Sequence, residues 1–149
     1  MEHIINAKDA VVAGLAIVLG GLARAFGGWD ATLASLIGFM TVDYLTGLIV
    51  AGVFKRSPKS EGGALESRAG FKGLCRKGGI LSLVLVGVWL DMLVGAAYIR
   101  PAMCLFFIAN EGISITENLG LMGVKLPKFL KSMLEAMRDK ASSGEENKA

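Results

Sequence analysis

From Ala31 to Phe54 the chain runs twenty-four residues with a single charge, Asp43, and from Gly78 to Ile99 it runs twenty-two more with only Asp91. Runs of this length and polarity constrain the fold more than any other feature. About 20 apolar residues carry a helix across the ~30 Å hydrocarbon core of a bilayer, where the backbone must satisfy its own hydrogen bonds. Two further stretches extend the pattern. Ala10 to Phe26 has only fourteen residues between Asp9 and Arg24, so Arg24 must snorkel to the interface if this run crosses. Pro101 to Val124 starts with a proline suited to a first helical turn and carries Glu111 and Glu117. With 53% hydrophobic and 19% charged residues, the composition fits a membrane bundle better than a soluble domain. The expected fold is all-α, an integral membrane bundle over residues 1–124. Its spans lie at about 10–26, 31–54, 78–99 and 101–124, four crossings, or three if the first run only dips into the interface.

Charge orients the bundle. Residues 55–77, KRSPKSEGGALESRAGFKGLCRK, hold seven Lys/Arg against two acids and read as a cytoplasmic loop under the positive-inside rule. Lys125, Lys128, Lys131, Arg138, Lys140 and Lys148 put the C-terminus on the same side, and four crossings bring the N-terminus there too. The opening MEHIINAKDA lacks a small-residue cleavage pattern after its first apolar run, so that run is expected to be retained. Residues 125–140 follow Pro127 with Leu130, Met133, Leu134 and Met137 on one helical face. The expectation is an amphipathic helix lying on the cytoplasmic leaflet, with packing on the loop or on a neighbouring subunit as the alternative. The polar residues 141–149 are expected to be disordered.

Helices in lipid associate through close packing more than through the hydrophobic effect, and small residues on one face permit it. On the first run Ala13, Ala16, Gly20, Ala23 and Gly27 fall within about a quarter-turn. Gly87, Asp91 and Gly95 recur every fourth residue on the third span, Ala34 and Gly38 do so on the second, and Gly47 follows Asp43 by one turn. These faces suit either seams within one chain or contacts between copies.

The acids weigh more. A carboxylate near the bilayer centre costs roughly 2.5 to 3.5 kcal/mol, so Asp43, Asp91, Glu111 and Glu117 cannot all face lipid. At 100° per residue Asn110, Glu111, Ser114, Glu117 and Asn118 share an arc of about 120°, opposite Ile108, Ile115 and Leu119. Three readings stay open for this stripe. Its acids are protonated or hydrogen-bonded inside the bundle, or several copies turn the stripe toward a shared aqueous lumen, or one carboxylate alternates between proton and substrate as in a small exporter. Basic residues occur only near the ends of the spans, so ion pairing at depth is not expected, and carboxamides, shared protons or water must serve.

Catalytic signatures are missing. The only histidine is His3, and the sequence holds no P-loop, dinucleotide fingerprint or Cys/His metal spacing, so neither cofactor nor metal is expected. Cys75 and Cys104 read as free thiols. The basic loop lacks the aromatic interleaving of an RNA-binding surface, and anionic lipid is its nearer partner.

DYLTGL at Asp43 to Leu48, ESRAGFKGLCRKGG at Glu66 to Gly79, WLDML around Asp91 and FFIANEGISITENLGLMGVKLPKFL at Phe106 to Leu130 resemble the phage-lysis and toxin-secretion holin family. The likeness spans roughly Trp29 to Glu135. It implies a non-enzymatic, multi-pass protein of the bacterial cytoplasmic membrane that accumulates, self-associates and opens timed lesions. Through these an endolysin reaches the peptidoglycan, or a toxin is released. The residues matching the family pattern are Asp43, Tyr44, Gly47, Asp91, Asn110, Glu111, Ser114, Glu117 and Asn118. A dual-start inhibitor, common among holins, is not visible, because the methionine after Met1 is Met40, inside the second span. A proton-coupled exporter subunit, or an antiholin or non-lytic membrane anchor, is the alternative.

Overall fold

The computed structural model describes residues 7–59, 62 and 66–143. Among these the chain forms five helices and no strand: α1 (Ala7–Ala25), α2 (Ala31–Ile49), α3 (Ser67–Val94), α4 (Ile99–Leu121) and α5 (Lys128–Ser143). The last turn of α2 widens into a π-turn, Val50–Phe54, giving 24 continuous helical residues. It stops at Lys55, whose φ of 51° lies in the left-handed region that side chains rarely adopt. By length and apolarity α2 with its π-turn and α3 could each cross a membrane. Neither α1 nor α4 passes that test: α1 carries Lys8, Asp9 and Arg24, and α4 carries Arg100, Glu111 and Glu117.

α4 is the hub, packing on α2, α3 and α5. Leu36 and Met40 of α2, Ile80 and Val84 of α3, and Cys104 and Ile108 of α4 form the buried apolar core. Gly87 sets the α3–α4 separation. A Cβ there would lie 2.8 Å from the Met103 sulfur and 3.2 Å from the Arg100 Cα, so the two backbones meet where one side chain is missing.

α3 begins at Ser67, so the expected loop to Lys77 is shorter than the charge pattern suggested. The cations Arg68, Lys72 and Arg76 are spaced by four and line up on the exposed side of its first turns, while Gly70 and Gly73 pass close to the Tyr44 ring and hydroxyl.

α5, expected as an amphipathic helix along the cytoplasmic leaflet, also packs on α4: Leu134 is buried, and a Cβ on Gly112 would come within 2.8 Å of its Cδ2. Part of the apolar face, Phe129 and Met133, stays exposed. Residues 141–143, expected to be disordered, complete α5; the rest of that tail lies outside the described residues. By contrast α1 makes little contact with the other helices, leaving Val11, Leu15, Ile17, Val18 and Leu22 exposed. Among the described residues Ala16 is exposed and Gly20 meets no neighbour, and only Ala23, near the end of α1, is partly covered. Gly95 likewise meets no described neighbour, and its φ of 69° ends α3 in a left-handed cap.

Candidate functional site

Halfway along α2, α3 and α4 the interior turns from apolar to charged. Asp43 occupies the middle of α2 and Glu111 the middle of α4, at 7% and 6% exposure. Between them stands Lys77 of α3, with its ammonium 2.9 Å from Asp43 Oδ2 and in hydrogen-bond contact with Glu111 Oε2. The expectation that no ion pair forms at depth is overturned. A charge usually marks the end of an apolar span and so suggests a loop position for Lys77, whereas α3 starts ten residues before it, at Ser67, and carries it inward. The missed signal is a helical stripe. Gly73, Lys77, Ile80, Val84, Gly87 and Asp91 recur every three or four residues, and all are buried or half-buried.

Asn118, one face lower on α4, donates from Nδ2 to Asp43 Oδ1 at 3.2 Å and to Thr46 Oγ1 at 3.0 Å. Gly47 lies beside it, and a Cβ there would be in ordinary contact with that nitrogen at 3.7 Å. Asn110 and Ser114 complete the group, lining with Asp43, Lys77 and Glu111 a cleft of about 530 Å³ between α2, α3, α4 and the loop. Five residues predicted from the sequence are thereby brought together: Asp43, Asn110, Glu111, Ser114 and Asn118. Glu117 is not among them. It is exposed on the outer side of α4, because α2 and α3 cover a narrower arc than the polar stripe subtends.

Asp91 belongs to a second cluster at the far end of the bundle. Its carboxylate accepts the backbone N–H groups of Tyr98 (3.1 Å), Ile99 (2.8 Å) and Arg100 (2.9 Å), which are otherwise unsatisfied at the start of α4. Arg100 in turn donates from Nη1 to Asp30 Oδ2 at 2.6 Å and from Nη2 to the Gly28 carbonyl at 3.3 Å. Asp30 also caps α2 by accepting the Leu33 N–H at 2.8 Å. The Arg100 guanidinium and that N–H hold the Asp30 carboxyl below its usual range. Gly27 and Gly28, both at positive φ, let the chain turn over the Arg100 side chain.

The mid-bundle centre places two carboxyl groups against one ammonium at the foot of a cleft. The upper cluster neutralises itself and fixes helix ends. Nothing in either arrangement supplies a nucleophile, and no group of three or more metal-ligating side chains occurs among the described residues.

Both clusters lie within the region that matches known proteins. Residues 20–139 match the bacteriophage holin family. The chain belongs to that family. Holins permeabilise membranes and are not enzymes, and with two long apolar helices this one is a membrane protein. It is 41% identical over 117 residues, 77% of this chain and 81% of the relative, to an uncharacterized protein of Clostridium perfringens. An uncharacterized 14.9 kDa protein in the nagH 3′ region, also of Clostridium perfringens, is 38% identical over 142 residues, 94% of this holin and 99% of its own length. A probable holin of Bacillus phage phi105 is 36% identical over 97 residues, 64% of this chain and 66% of the phage protein. No solved structure matches.

Proposed function

We propose that this holin accumulates in the bacterial cytoplasmic membrane and self-associates into timed lesions that release or activate an endolysin, or assist toxin release. The observation that carries the reading is the charged interior of an otherwise apolar bundle. A chain that served only as an anchor would have no use for Asp43, Lys77 and Glu111 at mid-helix, each costly to desolvate. In the single chain these groups satisfy one another. When copies associate, the same groups can exchange partners and line water, turning a closed polar seam into a hydrated path.

In this reading α1 and α4 cross the membrane with α2 and α3, the basic segment from Lys55 to Arg76 faces the cytoplasm, and both termini lie there. The exposed, small-residue face of α1 supplies contact between copies. Induced expression in bacteria tests the proposal. With a co-expressed muralytic enzyme, growth should continue and then stop abruptly with lysis, and without the enzyme, growth should stop with little lysis. Steady growth with export of a solute would instead favour the exporter reading, which the cleft ending on two carboxylates makes the second choice. Delayed lysis by a partner holin would identify an antiholin.

A further inference from the structure

The cleft above the Asp43–Lys77–Glu111 centre has a rim that lesion formation does not require. Lys59 from the loop and Lys72 and Arg76 from α3 converge on it, with Glu66 the one acid on the rim among the described residues. Among the described residues none of the three cations has a carboxylate within ion-pair distance. The three cations thus stand together at the mouth of the cleft, while the floor below holds one more carboxyl group than it has ammonium groups. The walls between rim and floor are largely apolar, from Tyr44, Leu48, Ile80 and Phe107.

The position of the rim along α3 is equally specific. Arg76 is the last outward-facing charge before the uncharged run from Gly78 to Leu90, so the rim sits where the helix passes from polar to hydrocarbon surroundings. Phe71 and Leu74, exposed by 69% and 54%, flank the cations on the same outer turns. Basic side chains interleaved with exposed apolar ones at the edge of an apolar run match the junction of headgroup and acyl chain.

We infer that this cleft is a binding site for an anionic glycerophospholipid. The phosphodiester is held by Lys59, Lys72 and Arg76, the headgroup hydroxyls donate toward the carboxylates of Asp43 and Glu111, and the acyl chains leave the cleft along the uncharged outer face of α3 past Leu83 and Val86. Arg and Lys suit a phosphodiester by charge and by multiple N–H donors. Phosphatidylcholine carries the same phosphodiester, but its trimethylammonium is repelled by the three rim cations, whereas the hydroxyls of an uncharged headgroup meet no such repulsion and can donate to the carboxylates below. The inference rests on membrane location and goes beyond the lesion reading.

The full chain, purified in detergent, is titrated with phosphatidylglycerol or phosphatidylcholine, and bound lipid is counted by native mass spectrometry alongside the thermal unfolding midpoint. Phosphatidylglycerol should be retained about tenfold more tightly than phosphatidylcholine. Lys72→Ala combined with Arg76→Ala should remove that preference, and Lys128→Ala combined with Lys131→Ala on α5 should keep it. Equal retention of the two lipids by the unaltered chain would overturn the site without need of any variant, and so would a Lys72/Arg76 variant that still prefers phosphatidylglycerol. If soluble glycerol 3-phosphate raises the midpoint as much as the lipid does, the assignment to a lipid fails. Lysis is not the readout, so a chain that binds phosphatidylglycerol but never lyses cells would refute the proposed function and leave this site standing.

Discussion

The two polar clusters use similar groups for different ends. At the outer end Asp91 meets three backbone N–H groups and Asp30 meets a guanidinium, so each carboxylate is matched by donors fixed in the backbone or by a planar fork. At mid-bundle one flexible lysine is shared by Asp43 and Glu111. A cluster tied to helix ends resists rearrangement because moving it unmakes two caps. A cluster tied only by side chains, the Lys77 ammonium and the Asn118 carboxamide, can lose a partner and acquire another. The first holds the α1–α2 and α3–α4 turns together, and the second is the part of the molecule able to change.

That contrast breaks most readily at Lys77. Lys77→Met leaves two buried carboxylates with no cation and should cost about 3–5 kcal/mol, read as a large drop in unfolding midpoint in detergent and poor accumulation in membranes. Asp91→Ala is the matching change in the outer cluster. It frees three N–H groups at the start of α4 and should cost about 2 kcal/mol, with the bundle still assembled. If Asp91→Ala proved the more damaging of the two, the outer cluster rather than the centre would dominate the fold.

Smaller effects sharpen the comparison. Gly112→Val drives a side chain into Leu134 and Phe39 and should loosen α5 from α4 at a cost of about 1–3 kcal/mol, seen as faster proteolysis within 128–143 while α2 and α3 stay protected. Asp30 has its pKa depressed, so its contribution is present above the ordinary aspartate value of 3.8 and is lost as pH falls through the lower folded value. The difference in midpoint between wild type and Asp30→Asn should therefore be largest near neutrality and shrink below pH 3.8. Glu117→Gln, at an exposed position, should change stability by less than about 0.5 kcal/mol.

Much of this was legible in the residues. The start and stop of α2 follow from Asp30 and Lys55, and the inward side of α4 from the phase of Asn110, Glu111, Ser114 and Asn118. Glu117 shows the limit of that phase argument: a helical wheel says which residues share a side, but not how wide a side the neighbours cover. Lys77 was hidden because a charge is the usual sign that a span has ended, and only its register with Ile80, Val84 and Asp91 reveals a buried position. The spacing of Asp91 with Gly87 and Gly95 is visible in the sequence, but its use as a cap depends on a turn that brings Tyr98, Ile99 and Arg100 back over it. The position of α5 rests on one missing side chain, Gly112, whose importance appears only once Leu134 lies opposite.

The claim on which the account stands is that Lys77 closes the polar interior of the single chain by pairing with Glu111 and Asp43. A double-mutant cycle on Lys77→Met and Glu111→Gln, followed by thermal unfolding in detergent, tests it most directly. The account predicts that Glu111→Gln added to Lys77→Met restores part of the lost stability, because it removes one of two unpaired carboxylates. If the two losses simply add, the pair does not interact and the polar interior is not closed in the way described.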